Sequence, residues 1–256
     1  MFTEKVNPIL EPQEIAGKRR GRGRPPGMTA GGLEARQRLY DTAIKLITKK
    51  GYEATTLRDV AEAAGVTVGL LYKYFPSKRS VVLALYDDLS AEFADRAANM
   101  QAGKWRERFL SALDMSLEVL GSHRNTLSAL VSVLVGDREE GLFAPGTAFS
   151  RRRVLTIFHQ AVAGASDAPP PELAASLGRL LYLVHLAIIL WWLLDKSPRQ
   201  RATKGLVKLL QKVLPASALA LRLQRVRAFV LAGDILFREA LFDDTETFTP
   251  HSLRRI

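Results

Sequence analysis

The chain has 256 residues, 47% of them hydrophobic, no cysteine and a formal net charge of +11. That length and apolar content suit two modest domains with a sizeable buried core, and the missing thiols exclude disulfides, thiolate catalysis and sulfur-ligated zinc. The positive charge is uneven: residues 1–32 hold six Lys/Arg against three Asp/Glu, residues 33–102 hold ten against nine, and the remainder carries most of the surplus.

Residues 1–32 contain four Pro and six Gly with few large apolar side chains and no period, which predicts a disordered arm. Within it, KRRGRGRPPG at 18–27 places five cations and no acid together. Arg22, Gly23, Arg24 and Pro25 are similar to the core of an AT-hook, in which two arginines follow the narrow minor groove. A solubilising tail is the plainer alternative.

From 33 to 50 the apolar positions Leu39, Ala43, Leu46 and Ile47 recur at helical spacing, and Lys49, Lys50 and Gly51 form a helix end. Thr56 with Asp59 predicts a capping box for a second helix that stops at Ala64, before Gly65 supplies the turn. Thr67 caps a third helix whose buried side is Val66, Leu71 and Phe75. Ser77 caps a fourth, with Val81, Leu85, Leu89 and Phe93 in one stripe.

Further helices are predicted at 103–120, 123–135, 148–164, 171–195, 199–214 and 217–240, separated by Gly and Pro, including Pro215. No strand alternation occurs, so the expected fold class is all-α. Three parts are expected: the basic arm at 1–32, a helix-turn-helix domain at 33–80 and a helical body at 81–256.

The run LLYLVHLAIILWWLL at 180–194 is the one membrane candidate in the sequence. As a helix it reaches ~22 Å against the ~30 Å of a bilayer core. A buried core helix, no membrane association and a cytoplasmic location are expected.

Two short helices meeting at Gly65, followed by TVGLLYKYF at 67–75 and PSKRSVVL at 76–83, have the form of a helix-turn-helix that lays one helix on DNA. Thr67, Val68, Leu70 and Lys73 would face outward from the recognition helix. Leu70 suits a thymine methyl group and Lys73 a guanine or a phosphate. Thr55, Thr56, Tyr72, Tyr74 and Lys78 would hold phosphates. Taken singly, Tyr72 also fits plain core, and Lys78 a solvated charge.

These residues carry a resemblance. Residues 36–85, with RDVAEAAGVTVGLLYKYFPSKRSVVLAL at their centre, resemble the N-terminal DNA-binding domain of the tetracycline-repressor (TetR) family of bacterial regulators. The resemblance implies a three-helix head, a fourth helix as linker, and a divergent helical body that dimerises and often holds a small effector. It carries the family's DNA contacts to Thr56, Thr67, Tyr72, Tyr74 and Lys78; the Leu70 position is often small or hydroxylated in the family.

A near-palindromic operator on double-stranded DNA requires two heads related by a two-fold axis, hence a homodimer. The interface is expected on the helices at 171–195 and 199–214, with the 180–194 run buried from both sides. Trp105, Phe109, Phe158, Tyr182, Trp191 and Trp192, with His159 or His185 as polar contact, would line a pocket for a largely apolar effector. Packed core explains the same aromatics.

Lys204, Lys208 and Lys212 form one ridge. It reads as a solvated face, a phosphate-binding face or a seat for the acidic residues Asp243, Asp244 and Glu246. HExxH, GxSxG, GxxxxGK[ST] and metal-ligand clusters are absent from the sequence, so no enzyme, metal or cofactor is expected. The expected function is a repressor released by an effector; an effector-independent architectural DNA-binding protein using the arm is the alternative.

Overall fold

The computed structural model describes residues 30–138 and 141–241. The arm with Arg22 and Arg24, and the acidic residues Asp243, Asp244 and Glu246, lie outside them. Every described element is helical.

Helix α1 (Ala30–Lys50) buries Leu39, Tyr40, Ala43 and Ile47 along one stripe. Its last turn carries Lys49 and Lys50, and Gly51 takes φ +86° while its amide donates to the Ile47 carbonyl at 2.8 Å. Only glycine adopts that backbone readily, so the left-handed stop is written in the sequence. Helix α2 (Leu57–Ala63) starts in the expected capping box: the Asp59 amide donates to Thr56 Oγ1 and the Thr56 amide to Asp59 Oδ2, both at 3.1 Å. Those bonds from Thr56 hold the Asp59 carboxyl below its ordinary pKa.

Gly65 at φ +66° turns the chain into α3 (Val68–Tyr74), capped by Thr67. Helix α4 (Lys78–Ala97) is capped by Ser77 and runs from the head into the body, burying Val81, Leu85, Leu89 and Phe93.

In the body, α8 (Ala148–Ala163) is the central helix, packed against α4, α5 (Trp105–Gly121) and α9 (Pro171–Leu194). Phe158 of α8, fully buried, is the hub: its ring lies 6.1 Å from Phe93, 5.9 Å from Phe109 and 6.3 Å from Tyr182. The α8–α9 crossing is closest at Gly178, where an added Cβ would sit 2.8 Å from the Cα of His159. Backbone cannot yield as a flexible side chain can. Gly178→Ala is therefore expected to lower stability by about 1–3 kcal/mol through overpacking, measured as the urea midpoint shift; an unchanged midpoint would mean that the two helices separate at little cost.

The segment expected as one helix at 123–135 is two, α6 (Arg124–Ala129) and α7 (Val131–Gly136). Helix α6 ties the head to the body. Thr48 Oγ1 of α1 donates to the Ile44 carbonyl, so the 2.7 Å contact between Thr48 and Thr126 takes its proton from Thr126. Arg124 at the start of α6 donates to the Trp192 and Asp195 carbonyls, both at 2.9 Å, which places a cation on the negative end of α9.

Two expectations fail. Pro215 does not break the chain: α10 (Arg201–Ala220) runs through it. Both Pro215 and Gln211, whose carbonyl the proline cannot bond, are exposed, so water can satisfy the lost partner. The length argument against a membrane span also fails, because α9 has 24 residues and is long and apolar enough to cross a bilayer. Its burial argues instead for a core helix: Leu173, Leu177, Leu181, Tyr182, His185 and Ile188 are all enclosed by protein. Helix α11 (Gln224–Leu241) covers one side of α9 through the Asp234 carboxylate, which accepts from Arg179 and Ser176.

Candidate nucleic-acid interface and body cavity

Helix α3 is held from below by Leu71 and Phe75, which are buried against α1; Phe75 stacks on Tyr40 at 6.4 Å. With that face fixed, the opposite face turns to solvent. Thr67, Val68, Gly69, Tyr72 and Lys73 are exposed, Tyr72 to 52%. Thr56, at the start of α2, is exposed as well. Tyr74 is half-buried beneath the Lys73 ammonium, 5.5 Å above its ring.

Three expected contacts sit differently. Thr55 is buried, and its hydroxyl donates to the Gly51 carbonyl at 2.8 Å, so it stabilises the α1–α2 loop instead of reaching phosphate. Leu70 is half-buried, so it shows less of its side chain to a groove than Thr67, Val68 or Lys73. Lys78 folds back on the same loop: its Nζ donates to the Tyr52 carbonyl at 2.6 Å and sits 4.0 Å above the Tyr52 ring. The unfavourable position of that cation at a helix start is thus compensated within the chain. Two of its N–H bonds remain for a phosphate.

Sequence reasoning passes over Gly69. An added Cβ there would meet nothing within 4 Å, so the outward face of α3 is flat at its centre and lets backbone approach a groove wall. A signal exists, since glycine inside a seven-residue helix weakens it by ~1 kcal/mol and calls for a reason.

In the body, a cavity of about 310 Å³ lies between α4, α5, α6–α7, α8 and α9. That is the lower end of the range for small-molecule sites. Its walls are overwhelmingly apolar, among them Leu89, Phe93, Val119, Leu127 and Leu134, with Tyr182 and His185 contributed by α9. Of the eight aromatics and histidines expected to line a pocket, those two line this cavity.

Trp105, Phe109, Phe158 and Trp192 are core, His159 is half-buried on α8, and Trp191 is half-exposed. The cavity takes residues 182, 185, 186, 187, 189, 190 and 193 of α9, and neither Trp191 nor Trp192 is among them. His185 Nε2 lies 2.8 Å from Ser116 Oγ, and burial pushes the imidazole pKa down to about 3. Among the described residues no group of three or more His, Cys, Asp or Glu is arranged to hold a metal ion.

Residues 39–85 match the family model of the bacterial regulatory proteins of the tetR family. The HTH-type transcriptional repressor KstR2 of Rhodococcus jostii is 39% identical over 108 residues, 42% of this chain and 45% of that protein. The repressor KstR of Mycolicibacterium smegmatis is 46% identical over 71 residues, 25% of this chain and 33% of that protein. The chain thus spans less than half the length of these curated relatives.

Solved structures extend the likeness to the body as fold alone. A tetR-family transcriptional regulator from Streptomyces coelicolor superposes with TM-score 0.54 at 24% identity, over 81% of this chain and 96% of that one. The regulator FadR from Bacillus subtilis, in complex with stearoyl-CoA, gives 0.53 at 17% identity, over 68% and 96%. The capped α2–α3 turn and the exposed face of α3 thus lie within residues 39–85, the part of the chain that is similar to the tetR family of bacterial regulatory proteins.

Proposed function

We propose that this chain is a homodimeric transcriptional repressor that binds a near-palindromic operator and leaves it when a small, largely apolar effector enters the body cavity. The observation that carries the reading is the pairing, in one chain, of an α3 face free of packing duties with an apolar cavity wrapped by the helices that lead to it. Thr67, Val68, Gly69 and Lys73 are suited to base edges, and Thr56, Tyr72, Tyr74 and Lys78 to phosphates. The names of the relatives, repressors among them, favour repression. The FadR complex is an instance of this fold holding a molecule with a long apolar part.

A second copy would cover apolar side chains now open to solvent: Trp191 and Leu194 on α9, Leu209 and Val213 on α10, each at least half exposed. Because α11 already occupies one side of α9, the partner has only the other side of that helix, not both.

An effector in the cavity would press on Leu89 and Phe93 of α4 and on Leu127 of α6. Helix α4 begins at Lys78 in the head, and α6 is bonded to α1 through Thr126 and Thr48. Those two links would convert a shift of either helix into a new spacing of the two heads, and so into a coupling between effector and operator.

Selection of bound duplexes from a randomised pool tests the reading: a two-fold-symmetric site should emerge, and a pool left without preference would reject it. On the selected site, Lys78→Ala should reduce the slope of log K against log salt by about 1, as the loss of one phosphate contact requires. Deleting residues 1–27 should weaken binding and flatten the same slope, as a basic arm in the minor groove requires; unchanged affinity and slope would take the arm out of the mechanism.

A further inference from the structure

On the apolar walls of the cavity, His185 is a buried polar group that the packing does not explain. The His185 ring lines the cavity, is 4% exposed, and lies 4.7 Å from the Phe158 ring and 6.3 Å from the Tyr182 ring. Its Nε2 has Ser116, but its Nδ1 is buried without a hydrogen-bond partner. Buried polar atoms in folded proteins are nearly always paired, and one that is not calls for a partner still to come.

Counting protons decides what that partner must be. Ser116 is buried too, and its hydroxyl has His185 Nε2 as its hydrogen-bond partner. If the serine donates to Nε2, the ring proton sits on Nδ1 and a single N–H is left unmet. If instead Nε2 carries the proton and donates to the serine, two groups are left unmet, the serine hydrogen and the Nδ1 lone pair. The first arrangement leaves less undone, so Nδ1 is a donor.

We infer that the Nδ1–H of His185 is the hydrogen bond the cavity offers its effector, which is therefore an apolar molecule bearing a carbonyl-type acceptor. The inference rests on the cavity being the effector site. It also accounts for the serine: Ser116 fixes the tautomer, as the second partner of a functional imidazole commonly does. Full burial keeps the ring neutral, so it grips as a donor without bringing a charge into an apolar space. Arg151, the cation on the cavity wall, has its NH1 donating to the Leu142 and Ala144 carbonyls and to Thr147 Oγ1, which anchors the loop before α8.

Two measurements on the full chain test this. With only four histidines in the sequence, ¹⁵N labelling of histidine should show His185 with Nδ1 protonated and Nε2 bare; the reverse tautomer would overturn the inference. The second measurement compares propiophenone with propylbenzene, which differ by one carbonyl. His185→Phe keeps a ring among Phe93, Phe158 and Tyr182 and should weaken the ketone about tenfold while leaving the hydrocarbon unchanged.

Equal effects on both would reject the hydrogen bond but keep the cavity as a binding site. Failure of the unaltered chain to bind either would reject the cavity itself, and the donor with it. Should the variant not fold, the tautomer of the unaltered chain still decides whether Nδ1 is a donor.

Discussion

Asp234→Ala is expected to destabilise the chain by about 3–5 kcal/mol, the range for removing one partner of a buried ion pair. The carboxylate is 3% exposed and accepts from Arg179 Nε at 2.6 Å, from Arg179 NH2 at 2.5 Å and from Ser176 Oγ at 2.9 Å. Both guanidinium contacts are of the forked, charge-assisted kind, roughly twice as strong as neutral ones. Truncation would leave the Arg179 guanidinium, itself mostly covered, in the α9–α11 seam with no counter-charge.

The loss should fall on α11 first, because this cluster is its polar anchor on α9. Denaturant titration gives the total, and amide exchange should show α11 opening ahead of α8 and α9. Replacing Asp234 and Arg179 together by leucine should recover much of the loss, since what hurts is the stranded charge rather than the missing bond. A single variant within about 0.5 kcal/mol of the parent, the scale of ordinary surface changes, would show that the seam is wet and α11 loosely held.

The features that can be read from the sequence are those whose partners lie within a few residues. Thr56 and Asp59, Gly51, Gly65, Thr67 and Ser77 each act over three or four positions, and each does what its spacing predicts. The buried stripe of α4 is equally local, set by the helical period alone. Lys78 folds back for the opposite reason: the Tyr52 carbonyl that it bonds is distant in sequence and meets it only once the α1–α2 loop is folded against α4. Thr55 bonds the Gly51 carbonyl four positions back, a local contact that competes with the outward role its residue type suggests.

The cavity is illegible for a related reason. Periodicity says which face of a helix is buried, but not whether another side chain or a void stands opposite. Phe158 and Tyr182 look alike in sequence, yet one is the hub of the core and the other a cavity wall. The pairing of Arg179 with Asp234 spans 55 residues and leaves no local trace. Pro215 misleads because a rule about helix interiors does not hold on a solvent face.

The second large effect concerns acid. His185 titrates from 6.5 in the unfolded chain to about 3 in the folded one, because burial penalises the charged ring. Between those values the unfolded chain binds a proton that the folded chain refuses, so stability from this group is intact above pH 6.5 and falls as pH drops toward 3. At ~1.36 kcal/mol per pH unit the full loss is on the order of 5 kcal/mol, and about 3 kcal/mol of it should appear between pH 7.5 and 4.5. His159, whose pKa is lowered first by burial and then by the charge of Arg179, pulls the same way.

His185→Phe isolates the first contribution: the gap in unfolding free energy between parent and variant should narrow steadily below pH 6.5. The same neutrality has a consequence for effector binding, since a ring uncharged at every physiological pH offers one unchanging donor and cannot serve as a pH sensor. A gap that stays constant from pH 7.5 to 4.5 would mean that His185 protonates in place, and both the buried neutral ring and the fixed donor would have to be given up.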